Sequence, residues 1–128
     1  MVGGPDGCLQ VLLITSRQSR RWVLPKGWAE PGVAPHEQAA CEAFEEAGVR
    51  GEISRERLGT YQYAKQLRSG RAIPVRVDVF PLMVAERLDD WPEKGQREAV
   101  WVPPAEAATM VEESGLVAIL LDLAARQR

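Results

Sequence analysis

Apolar positions cluster in short runs in the first part of the chain and take helical spacing at its end. Leu9 to Thr15 reads LQVLLIT, a run of strand length, and Trp22-Val23-Leu24 is a second such run. Between them lies the basic stretch Arg17 to Arg21, so two strands joined by a basic turn is the simplest arrangement. Residues 25 to 35, PKGWAEPGVAP, hold Pro25, Pro31 and Pro35 and read as a loop. Pro35 suits a first helical turn, residues 36 to 47 are rich in Ala and Glu, and Gly48 stands where a helix terminus needs positive φ. A strand is expected around Leu58 to Ala64, then a turn at Arg68-Ser69-Gly70-Arg71. Val75, Val77 and Val79 alternate with Arg76, Asp78 and Phe80 as in a half-buried strand, with Pro81 marking an edge or bulge. Leu88 to Gln96 reads as a loop and Ala99 to Val102 as a short strand. One helix is expected from Pro103-Pro104 to about Glu113. Another runs from about Gly115 to Ala125, with Leu116, Ile119, Leu120 and Leu123 on one face. The order predicts an α/β layer architecture with no repeat and no linker.

The size and composition add bounds. With 128 residues, 45% of them hydrophobic and 27% charged, the chain suits one compact domain, residues 1–128. A formal net charge of -2 gives no reason to expect a nucleic-acid polymer or a membrane as partner, so any basic patch is local. Cys8 and Cys41 form no metal-spaced pair, and neither a secretory signal nor an apolar run of membrane length is found, so a reduced, cytoplasmic setting is expected. The turn-rich residues 1–7 read either as a short tail or as a sign that the chain starts later than its relatives.

The chemistry concentrates on the 36–47 helix. At 100° per residue, Glu42, Glu45 and Glu46 share an arc of about 100°, and Ala40, Ala43, Phe44 and Ala47 fill the opposite one. The expectation is a buried Ala/Phe face with the carboxylates turned away from it. Like charges at these spacings repel by a few tenths of a kcal/mol per pair. Two readings stand: a solvated Glu-rich face, or a site for a hard divalent cation, Mg²⁺ or Mn²⁺, shared with substrate phosphate. Lys26 in the loop just before the helix, with exposed backbone groups around it, favours the second.

From Gly27 to Val49 the chain resembles the Nudix box, G-x5-E-x7-R-E-U-x-E-E-x-G-U with U apolar. Gly27, Glu42, Ala43, Glu45, Glu46, Gly48 and Val49 are in register, while Val33 replaces the first Glu and Cys41 the Arg. The runs Trp22 to Trp28 and Trp91 to Glu98, followed by Trp101-Val102, look most like the diphosphoinositol polyphosphate phosphohydrolase branch. The resemblance implies a Nudix-like α/β/α sandwich with a mixed β-sheet between helices. It further implies metal-dependent cleavage of a phosphate-phosphate linkage in a small diphosphate or polyphosphate, by a monomer or homodimer. Glu42, Glu45, Glu46 and the backbone at Gly27 would hold the metal, and Glu45, Glu46 or Glu98 would take the proton of an attacking water. In the family the box Arg steadies the acids by ion pairing, so Cys41 weakens that support here.

Outside the box, Arg17, Arg20, Arg21 and Lys26 are candidates to bind a polyanion, set against a merely solvated turn for Arg20 and Arg21. Glu98 is either a further acid of the site or a surface ion-pair partner. His36 reads as a surface residue. Trp28 and Trp91 are pocket walls or packing anchors, and Tyr61 and Tyr63 are core or cross-strand packing. The alternative from another class is a Nudix-fold binding module without catalysis, with Val33 and Cys41 as signs of decay.

Overall fold

The computed structural model describes residues 9–26 and 30–126. Among the described residues, four antiparallel ladders, grouped into three sheets, and three helices build the fold. β1 (Val11–Thr15) lies between β2 (Trp22–Val23) and β7 (Ala99–Val102), in register Ile14 to Val23 and Leu12 to Trp101. β3 (Val49–Ile53) pairs with β6 (Leu82–Arg87), and β4 (Gly59–Gln66) with β5 (Ala72–Val79) in a hairpin that sets Tyr61 opposite Val77. Helix α1 (Pro35–Ala47) joins β2 to β3, and α2 (Pro104–Met110) and α3 (Ser114–Arg126) follow β7.

All five residues of β1 are buried, because the strand is a wall between two cores. Val11 and Leu13 face the larger one, with Tyr61 and Val79 from the hairpin and Ala107, Leu116 and Leu120 from α2 and α3. Leu12 points the other way, onto Ala43 of α1, Val49 of β3 and Leu82 of β6. Period-two alternation on one strand thus places helices on both sides of it, which is the expected α/β/α layering. A mixed sheet was expected; the ladders described above all run antiparallel.

β3 and β6 fall in stretches to which no strand was assigned. β3 buries only Val49 among VRGEI, and its register slips between Arg50 and Gly51. A Cβ on Gly51 would run into the Met83 carbonyl, so the glycine permits the close backbone approach at this bulge. Pro81 lies just beyond β5, which pairs with β4 alone, and its carbonyl accepts the Ser54 N–H at 2.9 Å. α2 stops at Met110, three residues before the expected end, and Glu112 and Glu113 lie in the junction to α3.

Candidate active site

Helix α1 is placed at both ends. Pro35 occupies its first turn, and Gly48 closes it at φ 68°, donating its N–H to the Phe44 carbonyl at 3.0 Å. A Cβ on Gly48 would collide with the Trp91 ring, so the helix terminus and the 88–98 loop interlock there. Two main-chain bonds join the same parts: Leu88 N–H to the Gly48 carbonyl at 2.8 Å, and Glu93 N–H to the Glu45 carbonyl at 3.0 Å. Trp91 is therefore a packing anchor, with Lys94 Nζ 5.6 Å from its ring centre.

This loop changes the expected disposition of the carboxylates. The helix was expected to turn all three Glu side chains away from its buried face, yet Glu46 is only 6% exposed, while Glu42 and Glu45 are half-buried. The correction has a simple cause: Ala43 packs on the smaller core, and the 88–98 loop covers the neighbouring face. Burial pushes the Glu46 carboxyl well above the usual carboxylate range, Glu42 beside it adds to the rise, and Arg97 opposes it. Glu46 Oε1 also faces the Lys26 backbone N–H at 3.4 Å. Glu42 Oε1 accepts a hydrogen bond from Gln38 Nε2 at 2.6 Å. Cys41 Sγ lies 3.8 Å from Glu45 Oε1, and desolvation followed by the charges of Glu45 and Glu42 raises its pKa, so it remains a neutral thiol.

The basic residues divide. Lys26 is half-buried, with Nζ 4.8 Å from the centre of the Tyr63 ring. Burial lowers its pKa, against the pull of Glu46 and Glu113. Arg21 is held by Glu112 at 3.1 Å and Glu113 at 3.0 Å. Arg17 is exposed and donates to Gln96 Oε1 at 3.0 Å. Arg20, at φ 57°, pairs with Glu98 at 3.4 Å, and both side chains are more than half exposed. Glu98 thus takes the surface pairing weighed for it, with Arg20 as its partner. His36 is half-buried, edge-on to Phe80 with ring centres 6.4 Å apart, instead of lying free on the surface. Tyr61 belongs to the core, as expected.

Two residues of this neighbourhood escaped the sequence. Arg97 reaches Glu46, and Glu113, with a side chain 9% exposed, faces Arg21 while its Oε1 has no hydrogen-bond partner among the described residues. The absent box Arg at position 41 signalled that a cation was needed, without naming its source. Gly27 and Trp28, expected at the metal and at a pocket wall, lie outside the described residues.

The donor set consists of hard carboxylate oxygens in a partly desolvated place, which suits a divalent ion better than a lone buried charge. Among the described residues no three Asp, Glu, His or Cys side chains converge as a ready ligand set. The carboxylates of Glu42, Glu45 and Glu46 have the oxygen chemistry that an ion of the Mg²⁺ kind takes, and such an ion usually needs only one or two of them, with water and substrate phosphate completing its shell. No helix among the described residues is long and apolar enough to cross a membrane.

The model of the NUDIX domain matches residues 4–120. Nudix hydrolase 4 of Arabidopsis thaliana is 36% identical over 99 residues, covering 77% of this chain and 46% of that protein. Diphosphoinositol polyphosphate phosphohydrolase 3-alpha of Mus musculus is 39% identical over 83 residues, 64% of this chain and 46% of that protein. The chain spans about half the length of such curated relatives. Among solved structures, a binary complex of the C. elegans Ap4A hydrolase aligns with a TM-score of 0.68 at 19% identity, over 98% of this chain and 90% of that one. The solution structure of the E. coli ORF135 protein aligns at 0.60 and 22% identity, over 94% and 81%. These likenesses show the fold.

Proposed function

The chain belongs to the Nudix family, and from that premise we propose that it is a metal-dependent pyrophosphohydrolase, cutting a phosphate-phosphate linkage in a small polyphosphorylated substrate. The observation that carries the reading is Glu46: a carboxylate buried beside Glu42 on the box helix, at a cost that a bound cation would repay. Members of the family generally require a divalent cation; Mg²⁺ or Mn²⁺ is proposed for this chain. When bound, the ion would neutralise the diphosphate and lower the barrier to attack by water.

The chain's own groups supply the rest. Glu42, Glu45 and Glu46 would hold the ion, with the backbone at Gly27 as a further donor. Lys26, poised over Tyr63 within the field of Glu46, would bind a phosphate oxygen. Arg17, reachable from solvent, and Arg21, fixed by Glu112 and Glu113, would take the outer phosphates. Glu45 or Glu46 would accept the proton of the attacking water; Glu98, more than half exposed and paired with Arg20, is the weaker of the three candidates. A substrate of the diphosphoinositol or dinucleoside polyphosphate kind accords with these cations better than a nucleotide sugar. The proposed setting is cytoplasmic.

The test is phosphate release from a panel of diphosphates, dinucleoside polyphosphates and sugar diphosphates with Mg²⁺ or Mn²⁺, beside binding of the same compounds. Turnover that disappears in Glu45→Gln supports the reading. Binding without turnover across the panel would replace it by a non-catalytic binding module.

A further inference from the structure

Arg97 is far from α1 in sequence, yet its side chain is only 12% exposed. Its guanidinium joins three parts of the fold. Nε and Nη2 both meet Glu93 Oε1, at 3.1 and 3.0 Å, which holds the loop. Nη1 donates to the Thr15 carbonyl at 3.1 Å, which fixes it to the end of β1. Nη2 also faces Glu46 Oε1 at 3.8 Å, across to α1. The backbone around it is equally fixed: the Glu98 N–H reaches Thr15 Oγ1 and the Thr15 N–H reaches the Glu98 carbonyl, each at 3.0 Å.

From this geometry we infer that Arg97 is a positioning residue, setting the orientation of the Glu46 carboxylate towards a bound divalent ion from the 88–98 loop. The inference rests on the proposed role of Glu46 in holding that ion. A planar group with five donors can satisfy Glu93, Thr15 and Glu46 together; an ammonium has fewer donors and no fixed fork. Cys41, the box position from which the family supplies its cation, is a neutral thiol against Glu45, so it brings no charge to Glu46. Arg97 performs from across the fold the steadying that position 41 does not.

The experiment measures Mn²⁺ binding to the substrate-free full chain by electron paramagnetic resonance, with the Mg²⁺ dependence of hydrolysis and thermal melting followed in parallel. Arg97→Gln should weaken Mn²⁺ binding by about tenfold or more, as loss of a partner behind a metal ligand does. It should raise the Mg²⁺ concentration needed for half-maximal turnover while the substrate KM at saturating Mg²⁺ stays within about threefold. Arg97→Lys should restore part of the Mn²⁺ affinity. If Arg97→Gln does not fold, Glu93→Gln, which keeps the arginine and removes its 3.0 Å partner, is judged by the same criterion. Glu46→Gln is the control. If it loses Mn²⁺ binding while Arg97→Gln and Glu93→Gln bind as the wild type does, the role of Arg97 is overturned and that of Glu46 stands. If Glu46→Gln itself binds Mn²⁺ normally, both fall.

Discussion

Glu46→Gln is expected to make the metal-free protein more stable at pH 8 and to abolish its response to divalent ions. The wild-type carboxyl is pushed from an ordinary 4.5 up to about 8, first by burial and then by Glu42. Between those values the folded chain binds a proton that the unfolded chain has lost. Stability from this group is therefore greatest below pH 4.5, declines as pH rises and levels off above about 8. A neutral amide of nearly the same shape carries no such decline. Each tenfold change in a proton equilibrium is about 1.4 kcal/mol, and the lost attraction of Arg97 offsets part of the gain. The variant should thus gain on the order of 1–3 kcal/mol at pH 8 and almost nothing near pH 4.5. For a chain of this length that is a rise of about 3–10 °C in Tm. The assay is thermal melting in chelator across this range, repeated with Mg²⁺. Wild-type Tm should climb on adding Mg²⁺, more at pH 8 than at pH 5 because the ion displaces the proton, and the variant should not respond. A metal-free variant that is less stable than the wild type at pH 8 would refute the reasoning.

Glu45→Gln should lower turnover by about a hundredfold or more with an unchanged melting profile, since it removes a charged ligand but no buried pairing; near-normal kcat in the folded variant would remove Glu45 from the metal site. Gly48→Ala should cost at least about 1 kcal/mol in urea unfolding, because it strains a left-handed φ and displaces Trp91. A neutral result there would dissolve the interlock between loop and helix. Arg17→Ala and Lys26→Ala should raise KM for a dinucleoside polyphosphate several-fold. Wild-type binding should weaken with salt, as exposed charges are screened over about 8 Å at physiological ionic strength. A preference for sugar diphosphates with little effect of either change would overturn the substrate class and leave the family assignment intact.

What could be read ahead followed local rules. Pro35 and Gly48 delimit α1, and the apolar spacing of α3 announces its buried face, because each signal acts within a turn or two. β3 was hidden because Arg50, Gly51 and Glu52 are exposed and the register slips between the first two, so no alternation survives. The angular argument on α1 found the apolar Ala43 side, but it assumed a single covered face. A loop some 45 residues further on covers a second one and buries Glu46. Arg97 and Glu113 were invisible for the same reason: their meaning comes from Thr15, Glu46 and Arg21, to which only the tertiary fold brings them.

The two cores on either side of β1 differ in extent, and the carboxylate helix rests on the lesser. Among the described residues, Leu12, Ala43, Val49 and Leu82 form the buried cluster beneath it, whereas the hairpin, α2 and α3 share a much larger apolar cluster. Amide protons of α1 and of the β3–β6 ladder should therefore exchange with solvent through a partial opening that leaves the rest of the molecule folded, at a lower free energy than global unfolding. The helix proposed to carry the reaction would then belong to the cooperative unit that opens first, and an ion bound across Glu42, Glu45 and Glu46 would close the gap between the two units.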